Sequence, residues 1–246
     1  MLPGLLKGLG DLVFPHHCFL CRRHIPYASP SSSLCLSCQS SIKKNIPPFC
    51  EKCSRPLQEE HRDKPLCQEC QKTHPHFDSA WGACLYNGQL RKLIHLFKYG
   101  NKVSLRHYFS GLIFSFLSTY HIDTKRYNLL VPIPLHAVRL RERGYNQAQL
   151  LSEVLGQKLA ITQSSHNLIR VRNTCNQAIL RQKERWTNIQ GAFRIKHYSQ
   201  FSKRTILLID DLMTTGATVS EAARILKEAG AKRVDVLTLA IAQQTR

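Results

Sequence analysis

Two adjacent carboxylates, Asp210 and Asp211, follow the apolar run Ile206-Leu207-Leu208-Ile209 and precede the polar turn Leu212-Met213-Thr214-Thr215-Gly216-Ala217-Thr218. The hydroxyls of Thr214, Thr215 and Thr218 donate hydrogen bonds without adding charge, and Gly216 lets the backbone approach a ligand closely. A turn of this kind leading into a helix also offers unpaired N–H groups and the positive end of the helix dipole, which together make a phosphate site. The carboxylates repel a phosphate, but they suit the hydroxyls of a sugar attached to it, or a Mg²⁺ ion bridging those hydroxyls. No Gly-x-x-x-x-Gly-Lys-Ser/Thr and no Gly-x-Gly-x-x-Gly occurs anywhere in the chain, so the turn is neither a P-loop nor a dinucleotide fingerprint.

A second set of reactive groups lies near the N-terminus. Cys18-x-x-Cys21 is followed after thirteen residues by Cys35-x-x-Cys38, and Cys50-x-x-Cys53 is followed after thirteen by Cys67-x-x-Cys70. Each cysteine of the second set lies 32 residues after its counterpart, an internal repeat. A Cys-x-x-Cys knuckle presents two thiolates on one side of a tight turn, and two knuckles close the tetrahedron that Zn²⁺ favours. Four matched pairs without a secretion signal favour metal over disulfides. The intervening stretches hold few large apolar residues, so metal must fold them, and two structural zinc ions are expected. The repeat suggests sequential pairing, Cys18/Cys21/Cys35/Cys38 and Cys50/Cys53/Cys67/Cys70, while spacing alone leaves crossed pairing open. His16, His17, His24 and His61 read as surface residues, and Cys84 and Cys175 as plain thiols.

These groups need elements to hold them. Ile206 to Ile209 reads as a strand buried on both faces that stops at the acidic pair. Thr218-x-x-Glu221 reads as a capping box opening an amphipathic helix with Val219, Ala222, Ala223 and Leu226 on its apolar face. Gly230 closes that helix, Val234 to Ala240 is the next strand, and the whole is a βαβ unit. Upstream, a strand is expected at Ala80 to Tyr86, with helices at about residues 89–99 and 105–117, the latter two with apolar stripes. Lys98 and Tyr99, at the end of the first of these helices, are candidates to face the cleft, with the helix dipole as the commoner explanation of a lysine there. Leu129 to Pro134 reads as a strand leaving the sheet at its prolines. A basic turn follows, with Arg139, Arg141 and Arg143, and then a helix capped by Asn146 and running to about Leu159. A strand is expected at Leu168 to Val171, and Arg172 to Gln190 reads as a long polar loop.

At 246 residues and 43% hydrophobic, the chain holds one α/β domain and a small appendage, divided here at 1–78 and 79–246. The expected class is α/β, a mostly parallel sheet with flanking helices preceded by a small double zinc ribbon. No apolar run approaches the ~20 residues of a membrane span. Met1 to Phe14 has no secretory-signal pattern, so membrane insertion is not expected and the cytoplasm is the default location. The net charge of +19 is unevenly placed, because residues 1–78 hold ten Lys/Arg against seven Asp/Glu and residues 79–246 hold twenty-five against nine. Residues 131–205 alone carry thirteen against three. A band of this kind attracts polyanions, either a diphosphate or a nucleic acid backbone.

The hydrophobic strand, acidic pair and Thr-Thr-Gly-x-Thr turn resemble the signature of type I phosphoribosyltransferases that binds 5-phosphoribosyl 1-diphosphate (PRPP). Together with the four knuckles, Val-Pro-Ile-Pro-Leu, Arg-Glu-Arg-Gly-Tyr-Asn-Gln and Asn-x-x-Gly-Ala-Phe, the chain resembles the ComF family of bacteria over nearly its whole length. That resemblance implies a double zinc ribbon coupled to a phosphoribosyltransferase domain, and a role in natural competence with incoming single-stranded DNA. It implies that Thr214, Thr215, Gly216, Ala217 and Thr218 hold the 5-phosphate of PRPP, that Asp210 and Asp211 engage the ribose hydroxyls directly or through Mg²⁺, and that Arg139, Arg141 and Arg143 receive the diphosphate. Single-stranded DNA and competence or DNA-processing proteins are the implied partners.

On a rival reading the fold is retained without turnover and DNA is held by Gln177, Arg181, Lys183, Arg185 and Arg194, with Trp186 and Tyr145 stacking bases. Two further alternatives are a regulator that senses PRPP and an active phosphoribosyltransferase of nucleotide metabolism with an unknown acceptor. Purine-salvage relatives place an acidic residue as base where this chain has Thr214, and Thr174-Cys175-Asn176-Gln177 stands where many relatives have Thr-Pro-Pro-Gln. With six residues after Ala240, the hood over an acceptor is expected from residues 89–118 or from the ribbon.

Overall fold

A computed structural model describes residues 17–25, 34–57, 65–174 and 182–243, the side chains of 182 and 183 excepted. Four strands form one parallel sheet: β1 (Ala80–Leu85), β2 (Leu129–Pro132), β5 (Thr205–Met213) and β6 (Arg233–Ile241), in the order β1-β6-β5-β2. Two short strands, β3 (Leu168–Arg170) and β4 (Phe193–Ile195), pair antiparallel as a separate ribbon.

Side chains alternate across β5, and both faces find apolar partners. Leu207 and Ile209 join Leu237 and Leu239 beneath helices α3 (Gly88–Tyr99), α4 (Leu105–Thr119) and α6 (Gln147–Leu159), through Leu93, Phe97, Phe109, Ile113, Leu151 and Leu155. Ile206 and Leu208 join Val234 and Val236 beneath helix α8 (Ala217–Glu228), through Val219, Ala222, Ala223 and Leu226. Asn146 caps α6 as its sequence position predicts, accepting from the Ala148 amide at 3.0 Å.

The cysteine-rich segment carries two short helices, α1 (Leu36–Ser40) and α2 (Gln68–Thr73), and is fused to the β1 edge. The amides of Asn45, Ala80 and Leu85 donate to the carbonyls of Ala83, Lys52 and Lys43 at 3.0, 2.8 and 2.9 Å. The fully buried Asn45 donates Nδ2 to the carbonyls of Ser54 (2.7 Å) and Gly82 (3.0 Å), and the Gly82 amide donates to Ser54 Oγ at 2.8 Å. No helix among the described residues is long and apolar enough to cross a membrane.

Four local expectations change. Strand β5 does not stop at the acidic pair but runs through it to Met213, paired with β6 at Asp210↔Thr238, Leu212↔Ala240 and Met213↔Ile241. Its other neighbour, β2, ends at Pro132↔Ile209, so the pair still stands where β5 loses one flank. Thr218 does not cap α8. Gly216 does, at φ +88°, and Glu221 instead accepts from the Gly191 amide (2.8 Å) and from Arg224. The basic turn is a short helix, α5 (Ala137–Arg143), closed by Gly144 at φ +77°. The long polar loop contains helix α7 (Gln182–Ile189).

Candidate functional site

The carboxyl ends of β2 and β5, the turn at Thr214 to Thr218, α3, α5 and the cysteine-rich segment enclose a cleft of about 1660 Å³. Crevices beyond the carboxyl ends of parallel strands are where ligands bind in open α/β sheets. Thr214, Thr215 and Thr218 line this cleft, while Gly216 and Ala217 are buried behind them and shape the turn. Gly216 is needed there because its φ of +88° lies in the left-handed region, while the Phe77 ring would make ordinary contact with a Cβ at 3.8 Å. Thr215 Oγ1 accepts from the Ala217 amide at 3.3 Å, which fixes the turn at the start of α8.

The acidic pair lies at the cleft floor. Asp211 is buried and pairs with Lys98 Nζ at 2.6 Å. Asp210 Oδ1 accepts from the Asp211 amide at 2.8 Å. Burial, reinforced by the neighbouring Asp211 carboxylate, raises the Asp210 carboxyl to about 8. Burial works against the Lys98 ammonium, but the Asp211 carboxylate overrides it and raises its pKa, so the lysine stays charged. Lys98 is therefore part of the site and not simply a helix-end cation. The hard oxygens of Asp210 and Asp211 are donors of the kind that Mg²⁺ takes.

At the opposite wall, Arg139 and Arg143 line the cleft and Arg141 does not, since the helical form of α5 turns it into solvent. Arg143 donates to Gln147 Oε1 (3.1 Å) and to the Tyr99 hydroxyl (3.2 Å), and its guanidinium lies 5.1 Å from the centre of the Tyr99 ring. Arg139 is held more loosely, 3.6 Å from Glu142. Arg170, from β3, adds a cation whose guanidinium lies 5.7 Å from the Phe193 ring. The roof comes from α3, with Arg91, Lys92, His95 and Tyr99, and from Phe19, Leu20, Arg22 and Arg55 of the cysteine-rich segment.

Of the loop residues predicted to hold nucleic acid, Arg185 lines the cleft; Gln177, Arg181 and the Lys183 side chain lie outside the described residues. The two stacking candidates are engaged internally. Trp186 Nε1 donates to Glu69 Oε1 at 3.3 Å, and the Tyr145 hydroxyl donates to the Phe97 carbonyl at 2.6 Å with its ring against Phe97. Cys84 is buried on β1, where burial pushes its thiol up to about 12 and keeps it protonated. Cys175 lies outside the described residues.

The eight knuckle cysteines gather sequentially into Cys18/Cys21/Cys35/Cys38 and Cys50/Cys53/Cys67/Cys70, the sulfurs of each group lying within 4.8 Å of one another. The Cys21–Cys35 and Cys53–Cys67 sulfurs are each 3.6 Å apart, close to the edge of a tetrahedron with Zn–S bonds of about 2.3 Å. Both groups fit structural zinc with no position left open for a substrate. Arg55 and Arg170 escaped the sequence reading because nothing local marks them, whereas Lys98 is a cleft candidate there, ranked below the helix-dipole explanation. The one available signal for Lys98 was its place on a helix predicted to reach the hood.

Residues 9–71 match the double zinc ribbon domain family, and residues 142–246 match the phosphoribosyl transferase domain family. Competence protein F of Haemophilus influenzae is 32% identical over 234 residues, covering 92% of this chain and 97% of that protein. Competence protein ComFC of Bacillus subtilis is 34% identical over 207 residues, covering 82% and 80%. DNA utilization protein YhgH of Escherichia coli strain K12 is 29% identical over 232 residues, covering 93% and 98%.

Proposed function

The chain belongs to the family of Competence protein F and ComFC, and from that premise we propose that its cleft binds PRPP with Mg²⁺ in the service of DNA uptake or use. The observation that carries this reading is the convergence, in one cleft, of a threonine-rich turn at a helix start, an acidic pair on the strand before it, and two arginines on the opposite wall. Thr214 to Thr218 take the 5-phosphate, Asp210 and Asp211 the ribose hydroxyls, and Arg139 and Arg143 the diphosphate, for which bidentate guanidinium contacts are well suited. Arg141 drops out of this assignment. Asp210 and Asp211 would hold Mg²⁺, which would supply positive charge beside the diphosphate. If turnover occurs, carboxylates beside the sugar ring stabilise positive charge developing there. Thr214 supplies no base toward an acceptor.

The test is calorimetric titration of PRPP with Mg²⁺ into the wild-type chain and into Asp210→Asn and Asp211→Asn. Loss of binding with folding and zinc content unchanged is expected; unchanged affinity in both variants removes the assignment. A diphosphate-release assay with candidate acceptors, single-stranded DNA among them, reads turnover separately.

The charge distribution favours one accompanying reading, that single-stranded DNA lies along the basic band of residues 131–205. With Trp186 and Tyr145 occupied inside the fold, that binding is mainly electrostatic. Its affinity should fall steeply with salt, and affinity indifferent to salt would speak against it.

A further inference from the structure

Arg55 lies two residues after Cys53, in the second zinc ribbon, and its side chain reaches the turn at the end of β5. Its Nη2 donates to the Thr214 carbonyl, a contact spanning 159 residues of sequence. The residue is 3% exposed, yet it lines the cleft alongside Thr214, Thr215 and Thr218. Its Nε is buried without a hydrogen-bond partner, and among the described residues no carboxylate pairs with it. A guanidinium offers five N–H donors and cannot be neutralised by losing a proton. The thiolates of the adjacent second cluster face its charge, but they leave its Nε without an acceptor, and a buried guanidinium with one carbonyl acceptor keeps hydrogen-bonding capacity for something that binds beside it.

We infer that Arg55 is a phosphate-binding residue, contributed by the second ribbon to the Thr214–Thr218 turn, so that the phosphate site is built from both halves of the chain. The inference rests on the reading of the cleft given above and deepens it. The acceptor the guanidinium lacks is the phosphate monoester itself, which supplies several charged oxygens. The ribbon fixes the guanidinium through its backbone: the Cys50 amide donates to the Arg55 carbonyl at 2.8 Å, and the Ala80 amide donates to Lys52 at 2.8 Å. Phe77 packs between the second cysteine cluster and Gly216, so the turn and the knuckle share one apolar support. The second cysteine cluster thereby acts on ligand binding at a distance, by holding Arg55 in place.

The experiment compares wild type, Arg55→Gln and Arg55→Lys, all zinc-loaded, for binding of ribose 5-phosphate, PRPP and diphosphate by calorimetry, with zinc content and thermal midpoint as controls. Arg55→Gln should lose roughly tenfold to a hundredfold in affinity for ribose 5-phosphate and PRPP, the range expected for charge-assisted hydrogen bonds. Diphosphate alone, held at the other wall, should change less than about threefold. Arg55→Lys should recover part of the loss. The unliganded Arg55→Gln chain should keep its zinc content and unfold as cooperatively as wild type. Equal affinity for ribose 5-phosphate in wild type and Arg55→Gln overturns the ribbon's part alone, as do parallel losses for all three ligands with a lowered midpoint, which mark a packing role. A wild-type chain that takes up none of the three overturns the reading of the cleft itself.

Discussion

Cys50, Cys53, Cys67 and Cys70 are all buried, whereas Cys21 is exposed, Cys35 and Cys38 are half-buried, and only Cys18 of that group is enclosed. The second cluster joins the core beneath α8 with Phe77, Met213, Ala217 and Val219, next to the turn of Thr214 to Thr218. The first belongs to the opposite face of the sheet, where Cys18, Ile25, Leu34 and Ile42 meet the side chains of α3 and α4. Residues 43–45, hydrogen-bonded along β1, carry the chain from one face to the other. Ligand spacing sets the metal geometry and is the same in both ribbons. What each metal does for the molecule is set by the residues around the knuckles, and those differ.

Removing one ligand from each cluster breaks this comparison most severely. Structural zinc contributes roughly 10–16 kcal/mol to a small domain, as much as or more than the ~5–15 kcal/mol stability of a typical fold. Cys53→Ser and Cys21→Ser should each lower zinc content from two ions to one. Only Cys53→Ser should also abolish PRPP binding and lower the midpoint of the whole chain, while Cys21→Ser should retain binding within a few-fold. Equal loss of binding in both would show that the clusters form one unit and that burial does not distinguish them.

An apolar pair sharpens the contrast without touching metal. Phe77 is 1% exposed between the second cluster and Gly216, and Ile25 is 7% exposed beside the first cluster. Phe77→Ala should cost about 3–5 kcal/mol and Ile25→Ala about 2–5 kcal/mol in denaturant unfolding. Despite similar stability losses, only Phe77→Ala should weaken ribose 5-phosphate binding. The seam between the ribbons is the next smaller lever. Asn45→Ala leaves the carbonyls of Ser54 and Gly82 short of a buried donor, at about 1–3 kcal/mol, and should retain both zinc ions. A variant that loses one ion would place Asn45 inside a single ribbon and not between the two.

Much of this arrangement was legible in the sequence because it is local. The apolar run into Asp210-Asp211, the glycine of the turn, the Asn146 cap and the Cys-x-x-Cys spacing all state their geometry within a few residues. The limits were also local: a capping box and a left-handed glycine compete for the same helix start, and Gly216 takes it because the turn needs its positive φ. Arg139, Arg141 and Arg143 looked equivalent until α5 gave them different directions. Arg55 was invisible, and Lys98 underrated, for another reason. Each acquires its role from a partner on a different element, Thr214 or Asp211, and no periodicity or spacing records a contact of that range.

The smallest effect per unit change tests what surrounds the raised carboxyl of Asp210 at the cleft floor. The Asp210 carboxyl lies near 8 in the folded chain because it is buried beside Asp211, against about 4 in an unfolded one. Between those values the folded chain holds a proton that the unfolded chain has released, so stability should fall as pH rises through that window and level off above it. One proton limits the slope to about 1.4 kcal/mol per pH unit. Asp210→Asn should remove this part of the slope in urea unfolding of the unliganded chain. If the second ribbon helps to bury Asp210 through Phe77 and the turn, Phe77→Ala should flatten the slope while Ile25→Ala preserves it. Equal slopes in those two variants would assign the burial of Asp210 to α3 and Lys98, and would leave the second ribbon with the phosphate alone.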